Sequence, residues 1–206
     1  MAGRAGVARF GDGQSTLDQR LGQQGDLVVS ELHSVHYEQA VRKNMFFSFS
    51  AARATSLVGT ALIGNIIYNP SDSGVNLALN AWSSQIIVTS ATTTGIGLAV
   101  GYQSTTPTTV TASDQTGCTF LQQPTLITGK AKAYSIATVL VAPVLIVPLH
   151  HNTAAIAVTG IDQASGDFDG SMIVPPGCFV SLVAMGAAVA AAGHTSYLTW
   201  EEVPTL

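Results

Sequence analysis

The chain has 206 residues, and only 10% of them are charged, against about 25% in ordinary globular domains. A formal net charge of −4 and a total of 8 Lys and Arg leave no basic face, which disfavours a protein that binds nucleic acid by neutralising phosphates. A hydrophobic content of 47% excludes disorder throughout the chain, because disordered chains combine low hydrophobicity with high net charge.

The charges are concentrated in the first quarter of the chain. Beyond residue 53 the only cations are Lys130 and Lys132. Residues 1 to about 26 are rich in Gly, Gln, Asp and Arg without a clear period, which is typical of an extended segment. We therefore predict an N-terminal arm over residues 1–35 and one β-sandwich body over residues 36–206. A body with so few charges is poorly protected against self-association, so we expect much of its surface to contact other protein subunits.

We expect neither a signal peptide nor a membrane span. The N-terminal segment has no apolar h-region, and the apolar stretches 133–149 and 178–193 are shorter than the roughly 20 residues of a spanning helix. The two cysteines, Cys118 and Cys178, are too few for a disulfide framework in a chain of this length. One bridge or two free thiols are the alternatives; we expect buried free thiols and synthesis in a reducing cytoplasm.

Short strand patterns follow one another along the chain. Leu77, Leu79 and Ala81 alternate with Asn76, Ala78 and Asn80, a period of two that predicts one buried face. Strands are predicted, in chain order, at residues 27–32, 45–49, 60–68, 75–89, 95–103, 118–127, 138–149 (one bent strand or two short ones), 154–161, 168–174, 178–186 and 197–203. This succession of short strands is typical of an all-β sandwich or barrel.

Turn chemistry separates these strands. Asn, Pro, Asp and Gly at 69–74 and Pro175-Pro176-Gly177 predict tight reversals. The Thr-rich segment 104–117 predicts a loop, and 163–167 a polar turn. Only residues 33–43 and 186–193 have any helical pattern, and helices this short and isolated are marginal.

Two histidine pairs are candidate metal ligands. His33 and His36 lie three residues apart near Glu38, but the HExxH pattern is missing, which favours a polar junction between arm and body. His150 and His151 follow an apolar strand, and adjacent strand residues point to opposite faces, so both do not easily ligate one ion. A solvent or inter-subunit role is the better interpretation.

The acidic residues also favour structural roles. Asp167 and Asp169, before Gly170, lack the 12-residue EF-hand pattern, and Asp-Gly is an ordinary turn signal. Glu201 and Glu202 are neighbours on a predicted strand, so their carboxylates diverge and paired acid–base work is disfavoured. Glu201 is a candidate partner for Lys130, Lys132 or an arm arginine.

The sequence carries no recognisable catalytic or cofactor motif. A GxSxG nucleophile elbow, a GxGxxG loop and a Walker loop are all absent from the sequence. We therefore expect a protein that is not an enzyme and that needs no cofactor.

Four segments read together resemble small virion structural proteins of tailed bacteriophages. They are GDLVVSELHSVHYEQAVRKNMFF at 25–47, YNPSDSGVNLAL at 68–79, FDGSMIVPPGCFVSLVA at 168–184 and YLTWEEVPTL at 197–206. The resemblance covers residues 25–206, and its five short patterns occur in the order of that group. Cys178 departs from it, since a second Gly is common at that position.

The resemblance implies a capsid cement or decoration protein with a β-sandwich of jelly-roll type. Its expected partners are the major capsid protein and its own copies, as a homotrimer or homodimer. Its expected location is the capsid surface of the virion, after synthesis in the bacterial host cytoplasm. Arm and body residues expected to make these contacts are Arg4, Arg9, Phe10, Arg20, Leu27, Tyr37, Arg42, Trp82 and Trp200. For the two tryptophans, plain core packing is the favoured interpretation.

Two other classes of protein stay open. A head-fibre or receptor-binding module would display the loops at 104–117 and 163–169 to a host glycan. A tail or neck component would form rings of small, fixed copy number. Hundreds of copies per particle would favour a cement protein. A few copies would favour a head-fibre or receptor-binding module or a tail or neck component.

Overall fold

A computed structural model describes residues 8–9, 16–17, 45–50, 59–86, 95–112, 114–117, 129–151, 162–185 and 194–205. The described residues form strands, turns and connections, and none is helical. Accordingly, no helix long and apolar enough to cross a membrane occurs in these ranges. The chain divides into two compact units, Met1–Glu38 and Gln39–Leu206.

The N-terminal unit contains two short antiparallel strands, β1 (Ala8–Arg9) and β2 (Thr16–Leu17). Ala8 pairs with Leu17 and Arg9 with Thr16. The extended arm over residues 1–35 stays a prediction, and the predicted strand at 27–32 and helical pattern at 33–43 lie outside the described residues.

The second unit contains two antiparallel sheets. The six-stranded sheet has the order β10-β6-β12-β4-β9-β7, and the five-stranded sheet the order β11-β5-β13-β3-β8. The bounds are β3 Met45–Ser50, β4 Ala61–Tyr68, β5 Val75–Ile86, β6 Gly95–Tyr102, β7 Thr108–Ala112, β8 Asp114–Gly117, β9 Lys132–Thr138, β10 Val144–His151, β11 Asp162–Val174, β12 Cys178–Ala184 and β13 His194–Pro204. The all-β prediction is therefore confirmed for the described body.

Four of the strand pairs are nested one inside another along the chain. Ser50 pairs with Ser196 in β3–β13, Tyr68 with Phe179 in β4–β12, Ile86 with Asp162 in β5–β11, and Gly95 with His151 in β6–β10. From each of these pairs to the next, the first residue comes later in the chain and the second comes earlier. The eight strands thus form one long antiparallel ribbon whose successive pairs lie alternately in the five- and six-stranded sheets.

A hydrophobic core contains residues from both sheets. Leu77, Leu79, Trp82, Leu198 and Trp200 come from the five-stranded sheet, and Ile67, Ile96, Leu98, Val180 and Leu182 from the six-stranded sheet. Leu77 and Leu79 lie in this core as predicted, but Ala78 and Asn80 are buried as well, so burial does not alternate along this part of β5. The core positions shift from Ala81 to Trp82 at a register irregularity opposite Leu198 and Trp200. This burial is the main source of stability.

A second buried cluster lies within the six-stranded sheet. It contains Leu62, Ile66, Tyr68, Tyr134 and Phe179, with Ala137 and Val139. Ile66 and Tyr68 of β4 belong to this second cluster, whereas Ile67 between them belongs to the core between the sheets. Successive strand residues point to opposite faces, so β4 contributes apolar side chains to both faces of its sheet.

Two polar side chains connect distant backbone segments inside the body. Asn65 on β4 is fully buried; its Nδ2 donates to the carbonyls of Ser48 and Ser196 at 3.1 and 3.3 Å, and its Oδ1 accepts from the Ser48 hydroxyl at 2.6 Å. Glu202 on β13 accepts from the backbone amides of Lys130 and Ala131, both at 2.9 Å. The Asn65 side chain links the two sheets, and the Glu202 side chain holds the segment just before β9.

The structure corrects three sequence predictions of local structure. The predicted loop at 104–117 contains β7 and β8. The Thr and Val residues of β7 are β-formers, whereas β8 contains Asp114 and Gly117 and is a strand through its pairing with β3. The predicted turn at 163–167 belongs to β11, where a partner strand satisfies its polar backbone. The predicted strand at 138–149 begins only at Val144, since 132–138 is a separate strand and 139–143 connects the two.

Other local predictions are confirmed, with the exception of the Asp-Gly turn. The turn Pro175-Pro176-Gly177 separates β11 from β12, with Gly177 at φ 81°. Asp169 and Gly170 have positive φ values of 48° and 74°, but they lie within β11, at the irregularity in its register with β5 between Asp167 and Met172. The Asp-Gly signal therefore marks a bulge inside a strand and not a connection between strands. β13 ends at Pro204, which has no N–H to extend the pairing. The predicted strands at 118–127 and 154–161 and the helical pattern at 186–193 lie outside the described residues.

Candidate assembly surface

An apolar groove opens on one side of the body, where β10 ends the six-stranded sheet and β11 ends the five-stranded sheet. Its volume is about 380 Å³, and its lining includes Tyr102, Val144, Ile146, Ile173, Pro175 and Cys178. None of the residues that line it is charged. The groove suits an apolar protein surface better than a charged ligand.

The rim of the groove is unusually exposed for such apolar residues. Tyr102 is 64% exposed, Val144 65% and Ile173 55%, and the preceding connection adds Leu140 and Val141. Contiguous exposed apolar surface on a soluble protein marks an interaction site. We name Tyr102, Leu140, Val141, Val144, Ile146 and Ile173 the apolar rim.

Local sequence explains the shape of the groove floor. A Cβ on Gly101 would lie 2.3 Å from the Phe179 ring, so only glycine allows that ring to lie against β6. A Cβ on Gly177 would lie 2.9 Å from the Tyr102 ring, and its φ of 81° also favours glycine. The Pro-Pro-Gly turn therefore brings the Tyr102 ring against the start of β12.

Gln103 holds the connection that carries Leu140 and Val141. It is 3% exposed; its Oε1 accepts from the Leu140 amide at 3.0 Å, and its Nε2 donates to the Thr105 carbonyl at 2.7 Å. Its own amide donates to the Gly177 carbonyl at 2.8 Å. One buried side chain thus fixes two segments beside the apolar rim, which reduces the entropy lost when a partner binds.

Burial favours the neutral forms of three described groups, Cys178, Tyr68 and Tyr134. Burial raises the pKa of the Cys178 thiol, and also raises the pKa of Tyr68. The pKa of Tyr134 is raised by burial and, to a lesser extent, by the neighbouring Tyr68. Cys178 is a free thiol but is half-buried and not buried as predicted, and Cys118 lies outside the described residues. The raised pKa makes Cys178 a poor nucleophile at neutral pH.

These tyrosine shifts predict a loss of stability at alkaline pH. Because the folded pKa lies above the ordinary tyrosine value of about 10, the unfolded chain loses each phenolic proton first as the pH rises. The contribution to stability is complete below about pH 10 and falls above it, by at most about 1.4 kcal/mol per pH unit for each phenol. Urea unfolding at pH 8 to 11 should therefore show a smaller alkaline loss for the Tyr68→Phe/Tyr134→Phe variant than for its parent. Both proteins carry Cys178→Ser so that the thiol does not contribute, and equal losses would contradict this prediction.

The structure describes only three of the residues expected to make partner contacts. Trp82 and Trp200 are buried in the core, at 6% and 0% exposure, which is the packing role favoured for both. Arg9 lies in β1. Arg4, Phe10, Arg20, Leu27, Tyr37 and Arg42 lie outside the described residues, so their contacts stay predictions.

The acidic and histidine candidates do not converge on a site in the described ranges. There, no three His, Cys, Asp or Glu residues are grouped so that they could hold a metal ion. Asp169 lies in β11, at an irregularity in its register with β5, and His150 and His151 lie in β10. Glu202 accepts from the backbone amides of Lys130 and Ala131, and the pairing of Glu201 with Lys130, Lys132 or an arm arginine stays a prediction.

Sequence reasoning missed the apolar rim as a site. The signal for it is the run of residues 133–149, which contains no charge and includes Pro143 and Pro148. Proline in a strand indicates an edge, and an edge strand without charges indicates an unprotected surface. Together these two features of the sequence indicate an edge strand that no charge protects.

The described body is thus an all-β protein of two antiparallel sheets with an uncharged apolar surface at one side. No protein-family model matches the chain, and no curated protein is significantly similar to it.

Proposed function

We propose that the chain is a non-enzymatic structural protein of a bacteriophage virion. In this proposal it is a capsid cement or decoration protein that binds over joints between major capsid protein subunits and stabilises the head. The observation that carries the proposal is the apolar rim with its groove, because a surface of this kind is suited to permanent contact with other protein subunits.

The proposed body is a jelly roll with three added strands. The support is the nested pairing of β3–β13, β4–β12, β5–β11 and β6–β10, since a jelly roll contains eight strands in two sheets. β7, β8 and β9 are the additions, at the sheet edges away from the groove. Jelly rolls recur in viral capsid and lectin domains, but a fold alone does not define a function, so the proposal rests on the surface.

The proposed mechanism is mechanical. Each copy adds buried apolar area across a joint, and many linked contacts multiply by avidity even when one contact is weak. The charged arm over residues 1–35 lies along a neighbouring subunit and becomes ordered on binding, a mode typical of polar extended segments.

Deletion of residues 2–26 tests the arm. The truncated protein should keep its body folded and show capsid occupancy at least about tenfold below that of the full chain, because the ordering contacts are lost. Occupancy is measured by adding each protein to undecorated capsids and quantifying the bound copies by mass spectrometry. Thermal unfolding of the truncated protein is the control for folding, and unchanged occupancy would contradict the arm's role.

Copy number in purified virions tests the function itself. Cement predicts hundreds of copies per particle and no binding to host cells. A few copies with cell binding would identify a receptor-binding or head-fibre module, and a small ring number would identify a tail or neck component. Either outcome would overturn the proposed cement function.

A further inference from the structure

We infer that a second copy of this chain docks on residues 144–147 of β10, along the side that no described strand pairs with, so that two six-stranded sheets join across a two-fold axis. The inference rests on the proposed function in that it names the partner of the apolar rim. Among the described strands, β10 pairs only with β6 and lies at the end of its sheet. An unpaired edge is a template for another strand.

Charge distinguishes β10 from the other edge strand beside the groove. Residues 133–149 contain no charge, whereas β11 carries Asp167 and Asp169, both exposed. In a two-fold contact each residue meets residues of the same surface, so the aspartates of two β11 edges would face one another and repel. β10 brings no like charges together, which makes a second copy of this chain a compatible occupant there and an incompatible one at β11.

The exposed side chains of β10 also suit a copy of themselves. Val144 is 65% exposed and Ile146 43%, although both are β-branched residues that favour sheet surfaces. Pairing two such strands would cover these residues on both copies and extend the apolar contact towards Leu140 and Val141. Pro148 has no N–H to donate to a ladder, and β10 is irregular between Leu145 and Val147 and between Pro148 and His150. Both features shorten a regular ladder, so the pairing is short and confined to residues 144–147.

Sedimentation velocity of the purified full chain tests this dimer without any capsid. We expect a dimer at micromolar concentration and a Kd at least about a hundredfold weaker for Val144→Lys or Ile146→Lys, because each substitution brings two like charges close together near the axis of an apolar contact. Val110→Lys is the matched control. Val110 is 45% exposed and lies on β7, the opposite edge of the same sheet, so this variant should dimerise like the parent.

Disulfide trapping gives a second measurement that does not depend on a charged variant. In a Cys118→Ser/Cys178→Ser background, Ile146→Cys should form a covalent dimer on mild oxidation, because antiparallel partners near the axis lie within disulfide reach. Val110→Cys should stay monomeric under the same conditions.

A monomer at 100 µM, a trimer, or Val144→Lys and Ile146→Lys proteins that dimerise like the parent would overturn the inference. Cross-linking of Val110→Cys as fast as Ile146→Cys would also overturn it. These outcomes are distinct from failure of the proposed function. A β10 dimer from a protein with few copies per virion would leave the inference standing and remove the cement role, and a monomer that decorates capsids would do the reverse.

Discussion

Replacing Trp200 with alanine should lower the free energy of unfolding by about 3–5 kcal/mol, the range for loss of a buried tryptophan. The indole is fully buried and is stacked on the Phe46 ring with centroids 5.9 Å apart. It lies in the core to which both sheets contribute, so the cavity would open between them. Urea unfolding followed by far-UV circular dichroism measures the change without depending on tryptophan fluorescence.

Trp200→Phe is the matched control for this substitution. It retains an aromatic ring against Phe46 and removes an indole N–H that has no hydrogen-bond partner within the described part of the chain. Its cost should therefore be clearly smaller, about 1–2 kcal/mol. If Trp200→Ala were within about 1 kcal/mol of the parent, the core role of Trp200 would be wrong.

Replacing Asn65 with alanine should lower the free energy of unfolding by about 3 kcal/mol. The substitution removes three hydrogen bonds to Ser48 and Ser196 and leaves the buried Ser48 hydroxyl without this acceptor. These bonds join β4 of one sheet to β3 and β13 of the other, so their loss weakens the contact between the sheets. Urea unfolding at pH 7 measures the change, with Ser48→Ala, which removes only one of the three bonds, as the smaller comparison.

Asn65→Asp separates hydrogen bonding from packing, because the side chain keeps its shape. At pH 7 a carboxylate would face the Ser48 and Ser196 carbonyl oxygens that now accept from Nδ2, so this variant should be less stable than Asn65→Ala. Burial beside these oxygens raises the folded-state pKa of the new carboxyl above its unfolded value of about 3.9. Its stability relative to the parent should therefore improve as the pH falls from 7 towards 4. No improvement at low pH would contradict the role of Nδ2 as the donor between the sheets.

The proposed dimer across β10 and the proposed arm give the two parts of the chain different contacts, the body with a second copy and the arm with the capsid. The apolar rim suits contact with a second copy, because that contact involves no charge. The residues before position 54 hold most of the charges and suit the capsid contact. A protein arranged in this way would oligomerise first and bind the capsid with several arms at once, which increases the effective concentration of each arm.

Sequence reasoning located most described strands of the body because their patterns are local. Val75–Ile86, Gly95–Tyr102 and Cys178–Ala184 combine β-formers with flanking turn residues, and both signals act over a few positions. It failed at 108–112, where an uncharged Thr-rich run reads as a loop until a neighbouring strand pairs with it. It also divided 138–149 wrongly, since an apolar run does not show where one strand ends.

The sequence by itself determined that this is an all-β chain with few charges and with tight turns at 69–74 and 175–177. Composition and turn chemistry are properties of adjacent residues, so they can be read without a partner strand. Only the tertiary structure decided the nested pairing, the Asn65 and Glu202 contacts, and the exposure of Val144 and Ile146 while Trp200 is buried. These depend on which distant segments meet: among the strands that the structure describes, β10 pairs with β6 alone and so ends its sheet.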